Sequence, residues 1–159
     1  YTYAAELSNF LRPYHPTGSL LDIGATSHII GGLLAGRFAF NPTYIGLELP
    51  QGQRFEAVTD GLIQNSCGLV LLCRTIDHCG DPLAVLEKAR SLLRKRDGLL
   101  WVDILGTPDE IFSSVLPVKI DHPIYPTVTT MKALVWRAGL AVLATRVTRT
   151  HTGFLCSWP

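Results

Sequence analysis

The run Cys67-Gly68-Leu69-Val70-Leu71-Leu72-Cys73 offers no polar side chain to water on either face. A half-exposed strand alternates apolar with polar residues. A strand apolar at every position is buried on both faces, as in the centre of a parallel sheet. Parallel neighbours need crossover connections, usually helices, so this one run already asks for an α/β chain. Arg74-Thr75-Ile76-Asp77-His78-Cys79-Gly80 then reads as a loop. Asp81-Pro82 opens a helix with an acid at the cap and proline in the first turn. Leu83, Leu86, Ala89, Leu92 and Leu93 give that helix one apolar face, and Asp97-Gly98 turns it into a further strand over 99–104.

Similar units flank this centre. A weak helical stripe over 3–12, carried by Ala4, Leu7, Phe10 and Leu11, ends at Pro13 and Pro16. A strand follows at 20–23, stopping at Asp22-Ile23-Gly24. Helical spacing resumes at Ile29, Ile30, Leu33 and Leu34, with Gly36 as its expected break. Gly31 and Gly32 inside that helix each cost about 1 kcal/mol relative to alanine, which a close approach to the sheet or a ligand would explain. Strands are expected at 44–47, ending in Glu48, and at 55–58, ending at Asp60-Gly61. The segment 105–127 is irregular and punctuated by Pro108, Pro117, Pro123 and Pro126, with a short helix expected near 109–115. Connections of this length commonly bind or cover ligands. A helix over 129–138 capped by Gly139, a strand over 140–147 and an antiparallel strand over 153–158 complete the chain, with Trp136 expected in the core.

The chain has 159 residues, 47% of them hydrophobic and 17% charged, enough for one domain with a real core. A net charge of +1 and a single basic stretch, Arg90, Arg94, Lys95 and Arg96, argue against nucleic acid as a partner. Those four residues read as a solvated helix end whose cations complement the helix dipole. There is no apolar run of the roughly 20 residues a membrane span needs, and no signal-peptide pattern. The chain opens on Tyr1 without a methionine, so it is expected to be a fragment or a trimmed chain. Cys67, Cys73, Cys79 and Cys156 show no C-x-x-C spacing and read as reduced thiols, which points to the cytoplasm. No cluster has metal-ligand spacing, and no nucleophile-elbow motif is present.

The order of these pieces resembles class I S-adenosylmethionine-dependent methyltransferases, of the type 11-like, small-molecule kind, over nearly the whole chain. Leu20-Leu21-Asp22-Ile23-Gly24 is similar to the family's first motif, and Tyr44 to Glu48 to its second strand with a terminal acid. Gly68 to Asp81 and the helix-turn to Gly98 resemble its central strand, loop and "L-K-P-G-G" turn, here Leu93-Arg94-Lys95-Arg96-Asp97-Gly98. Ala138-Gly139-Leu140 resembles the "A-G-F" before the penultimate strand. The resemblance implies a three-layer α/β sandwich with a mostly parallel, seven-stranded, Rossmann-like sheet and an antiparallel C-terminal strand. It implies a single domain over 1–159, with a cofactor half at 19–80 and a substrate half at 81–159.

Roles follow residue by residue from the resemblance. Asp22, Gly24, Ala25 and Thr26 would hold the methionine end of S-adenosylmethionine, Glu48 the ribose hydroxyls, and Asp60 with Gly61 the adenine. Arg74 and Thr75 would line the cofactor's floor. His78, oriented by Asp77 or replaced by it, would take a proton from the acceptor, since histidine titrates near neutrality. His122, Tyr125 and His151 would face the acceptor, a small molecule such as a sugar or other metabolite. Bland readings stand beside these: a helix-capping Asp22, an exposed Glu48, an ordinary turn at Asp60-Gly61, and a His78 that only bonds loop backbone. Where the family places further glycines, this chain has Ala25, Thr26, Ser27 and His28. That departure also argues against a nicotinamide site, whose pyrophosphate requires G-x-G-x-x-G. It keeps open a second function, a catalytically inactive methyltransferase-fold domain acting in binding or as a scaffold.

Overall fold

A computed structural model describes residues 2–24, 27–45, 59–105, 126–148 and 151–159. Its centre is β3 (Cys67–Leu72), buried at every position as its composition requires. β1 (Ser19–Ile23) and β4 (Leu99–Leu105) flank it in parallel, and β2 (Asn41–Ile45) lies parallel outside β1. β6 (His151–Ser157) inserts antiparallel between β4 and β5 (Ala141–Val147), giving the order β2-β1-β3-β4-β6-β5. Six strands are thus described. The strand expected at 55–58 and the helix near 109–115 fall outside the described residues.

The sheet is covered on both faces. Leu20, Leu69, Leu71, Cys73 and Trp101 pack with Leu7 and Leu11 of α1 (Thr2–Leu11) and with Ile30 and Leu34 of α2 (Ser27–Phe38). Leu21, Val70, Leu72, Val102 and Phe154 pack with Leu86 and Ala89 of α3 (Pro82–Leu92) and Met131 and Val135 of α4 (Val128–Arg137). Each such leucine, fully buried, contributes about 1.5–3 kcal/mol from surface removed from water. α3 starts where the sequence signals it: the Asp81 carboxylate accepts from the Ala84 amide at 3.0 Å. α4 is capped in the same way by Thr127, accepting from Thr130 at 3.0 Å.

Three expectations need correction. α2 continues through Gly36 to Phe38, because nothing crowds that exposed position and one glycine's propensity cost is too small to stop a packed helix. β2 begins at Asn41, earlier than expected, and carries Pro42 in the outermost described strand, where a missing amide hydrogen is tolerated. Trp136 is 77% exposed, on the outer side of α4, while Met131 and Val135 turn inward. The basic stretch also does more than meet solvent. Arg94 donates to the Thr17 carbonyl and to Asp97, each at 2.9 Å, and Arg90 lies 3.8 Å over the Trp158 ring.

Candidate functional site

β1 has β2 on one side and β3 on the other, so the chain runs outward from β1 to β2 and later returns past β1 to β3. Such a reversal opens a crevice beyond the carboxyl ends of the strands. Asp22 stands one residue before the end of β1 and is fully buried. Its Oδ2 accepts from the Gly31 amide of α2 at 2.7 Å, while Oδ1 has no hydrogen-bond partner among the described residues. Burial pushes this carboxyl up to about 8, against the partly offsetting Gly31 amide. Gly31 is there because a Cβ would stand 2.6 Å from Asp22 Oδ2 and 2.9 Å from the Tyr44 ring. Asp22 therefore bonds the fifth residue of the helix and not its first turn.

The turn after β1 is fixed by the turn after β3. Gly24 has φ +153, and a side chain on it would run into Thr75 Oγ1 and the Cys73 carbonyl. The buried Thr75 hydroxyl reaches the carbonyls of Ile23 at 2.8 Å and Cys73 at 3.0 Å, fastening the two strand tips together. Arg74, beside it, has φ +52 and an exposed side chain. Asp77 and His78 follow in a 3₁₀ turn (Ile76–His78), Asp77 buried and His78 half-buried, with the His78 amide donating to Thr75 at 3.1 Å. Asp22, Gly24, Arg74, Thr75, Asp77 and His78 thus gather around the tips of β1 and β3.

A second cluster adjoins them that the sequence reading does not contain. Asp103, buried in β4, accepts from the Arg74 amide at 2.6 Å through Oδ1 and from the Tyr3 hydroxyl through Oδ2. Tyr3 in turn accepts from Trp101 Nε1 at 3.0 Å, and the Arg74 guanidinium lies 5.7 Å over its ring. Burial raises the Asp103 carboxyl above the usual range, with Asp77 adding to the rise; the Tyr3 and Arg74 bonds oppose it. Burial likewise raises the Tyr3 hydroxyl. The available signal was an aspartate inside Leu99–Leu105, since a carboxylate in a buried strand must find donors.

Other expected residues lie elsewhere. Asp60 and Gly61 form an exposed turn, closed by the Leu62 amide on the Thr59 carbonyl at 3.3 Å. Asp60 is 4.0 Å from Lys88, a surface pair of little energetic weight. His151 opens β6 across from Leu105, at the carboxyl end of β4. Ala25, Thr26, Glu48, His122 and Tyr125 are outside the described residues. Among the described residues no group of side chains could hold a metal ion, and no helix is long and apolar enough to cross a membrane. A cavity of about 520 Å³ lined by Arg12, His15, Thr17 and Arg37 opens at the amino ends of β1 and β2, the opposite end of the sheet from Gly24.

No protein-family model matches the chain, and no curated protein matches it in sequence. Solved structures do. One is an O-methyltransferase from neocarzinostatin biosynthesis, in complex with S-adenosyl-L-homocysteine and 1,4-dihydroxy-2-naphthoic acid (TM-score 0.65, 14% identity, 99% of this chain, 57% of that one). Another is N,N-8-amino-8-demethyl-D-riboflavin dimethyltransferase from Streptomyces davawensis (0.66, 12%, 99% and 55%). A third is mitomycin 7-O-methyltransferase (0.68, 14%, 99% and 54%). This is the class I methyltransferase fold. The chain spans a little over half the length of those three proteins, between 54% and 57%. At this identity the likeness establishes the fold, including the antiparallel β6 and β5 at the end of a parallel sheet.

Proposed function

We propose that this chain transfers a methyl group from S-adenosylmethionine to a small-molecule acceptor by direct displacement. The observation that carries the reading is the paired tips of β1 and β3, where Gly24 rests on Thr75 at the switch point of a methyltransferase-fold sheet. The residues there suit the cofactor. Gly24 lets the β1 tip close on Thr75, and Arg74 adds an exposed cation to the loop after β3. The single glycine of this turn is short of the several glycine amides a dinucleotide pyrophosphate needs. When bound, S-adenosylmethionine supplies a methyl on a positively charged sulfur that departs as a neutral thioether.

The chain's own part is alignment, water exclusion and proton removal. Asp22 holds α2 against β1 and so sets the shape of the Gly24 turn. Thr75 sets the distance between the two tips. His78 accepts the acceptor's proton at an imidazole nitrogen, with Asp77 beside it as orienting group or as the base itself. Glu48 takes the ribose hydroxyls, Asp60 and Gly61 the adenine, and Ala25 and Thr26 complete the Gly24 turn. His122, Tyr125 and His151 belong to the acceptor side. In this reading residues 19–80 are the cofactor half of one domain and 81–159 the acceptor half.

Calorimetric titration with S-adenosylhomocysteine, followed by transfer of labelled methyl from S-adenosylmethionine to a mixed acceptor library, tests this. One saturable site and label transfer lost in His78→Ala support the reading. No binding of either molecule removes it. Saturable binding with no transfer to any acceptor replaces it with a binding or scaffold role.

A further inference from the structure

Arg74, in the loop after β3, is held through both its backbone and its side chain. Its amide is bonded to a buried carboxylate, Asp103, at 2.6 Å. Its guanidinium lies over the Tyr3 ring, 5.7 Å from the centroid, and that ring is itself fixed through its hydroxyl by Asp103 and Trp101. Its backbone stands at φ +52, a conformation a side-chain-bearing residue adopts at a cost. His15, Ala39 and Asn65 share that conformation at exposed positions; at Arg74 it is accompanied by the amide bond to Asp103. The ion pairs Lys88–Asp60, Arg94–Asp97 and Arg146–Glu6 use other cations. Asp103 bonds the Arg74 amide and the Tyr3 hydroxyl, and the Arg74 charge acts on its carboxyl from nearby. The next residue, Thr75, is the one that touches Gly24. A planar, exposed cation is thus held over the Tyr3 ring, beside the loop that follows β3.

We infer that Arg74 is the carboxylate anchor of this crevice, with Tyr3 and Asp103 as the residues that position it. The inference rests on the methyltransferase reading and names the chemical group that Arg74 takes. A guanidinium presents paired N–H groups in a plane, which a carboxylate accepts with both oxygens. Two sources would bring that group to the crevice: the amino-acid end of the cofactor, or a carboxylate on the acceptor. Tyr3 supplies a flat apolar face against the guanidinium, which limits the rotamers Arg74 must give up on binding. Asp103 supports the amide of Arg74 and the hydroxyl of Tyr3 together, so the loop and α1 are set by a single carboxylate.

Two ligands differing in the amino-acid end separate the sources. S-adenosylhomocysteine carries the carboxylate and 5′-methylthioadenosine lacks it. For the cofactor source, Arg74→Gln lowers affinity for S-adenosylhomocysteine by about 10–100-fold, as a charge-assisted bond warrants, and leaves methylthioadenosine within about threefold. Arg74→Lys, which keeps the charge and loses the fork, falls between. Tyr3→Leu lowers the ratio of the two affinities; a purely structural role for Tyr3 would lower both affinities together and leave the ratio unchanged. For the acceptor source, the two nucleoside affinities are unchanged, and Arg74→Gln instead abolishes binding of salicylate, used as a carboxylate probe, to protein saturated with S-adenosylhomocysteine. Unchanged nucleoside affinities together with salicylate binding that is absent in the wild type, or indifferent to Arg74→Gln, overturn the inference. A wild-type chain that binds neither nucleoside refutes the methyltransferase reading as well, which is a different result from one that binds both and ignores the substitution.

Discussion

Two adjacent glycines of α2 should respond to alanine with opposite signs. Gly32 faces open space: a Cβ there comes no closer than 3.6 Å to the Tyr44 hydroxyl, an ordinary contact. Gly32→Ala should gain the helix-propensity difference, about 0.8–1 kcal/mol. For a chain of this length that raises the melting temperature by roughly 2–4 °C. Gly31 starts with the same gain but meets Asp22 Oδ2 at 2.6 Å, Asp22 Cβ at 2.9 Å and the Tyr44 ring at 2.9 Å. Asp22 has nowhere to move, being fully buried between β1 and α2. Forcing a methyl into a packed site costs about 1–3 kcal/mol, and disturbing the bond from the Gly31 amide to the protonated Asp22 carboxyl about 0.5–1.5 more. The sum, less the propensity gain, leaves Gly31→Ala destabilised by about 0.5–3.5 kcal/mol. Urea unfolding monitored by circular dichroism measures both, provided the slope with denaturant stays constant. Equal stabilisation by the two substitutions would show that α2 does not press on Asp22, and the geometry of the β1 tip would have to be abandoned.

Three further perturbations follow from the same groups. Asp22 is an acid whose folded value, about 8, is raised from 3.8 by burial, so the native state keeps a proton that the unfolded chain loses between those values. Stability from this group is full below pH 3.8 and falls as pH rises through about 8, by at most about 1.4 kcal/mol per pH unit; Asp22→Asn should flatten that fall, seen in unfolding curves from pH 5 to 9. Tyr3→Phe leaves Asp103 short of one donor and Trp101 Nε1 without its acceptor, and should cost about 1–3 kcal/mol in chemical unfolding. Thr75→Val keeps the shape and removes the hydroxyl shared by the Ile23 and Cys73 carbonyls, for a loss of about 1 kcal/mol and weaker S-adenosylhomocysteine binding by calorimetry. An affinity equal to wild type would separate Thr75 from the site.

The parts of this fold that are local in sequence were legible there. Cys67–Leu72 is buried on both faces because every residue in it is apolar, and Asp81 caps α3 because an acid before proline can do little else. The Gly31-Gly32 pair could be flagged as costly, and the structure supplies the reason for Gly31 in a carboxylate nine residues earlier. What escaped was pairing across the sheet. Tyr3 and Asp103 are 100 residues apart, and neither sits in a motif. Local patterning gives a helix over 3–12 and a strand over 99–104, and neither period says that Tyr3 and Asp103 meet. Trp136 is expected in the core, yet α4 buries only the narrow stripe of Met131 and Val135. A bulky apolar residue off that stripe has no surface to cover it.

The central claim is that the crevice between the tips of β1 and β3 receives an adenosyl cofactor. Amide chemical-shift mapping during titration with S-adenosylhomocysteine tests it most directly. Binding there should shift the amides of Gly24, Arg74 and Thr75 together and saturably, and leave Arg12, His15 and Arg37 at the opposite end of the sheet unmoved. Shifts confined to Arg12, His15 and Arg37, or none at saturating ligand, would contradict it.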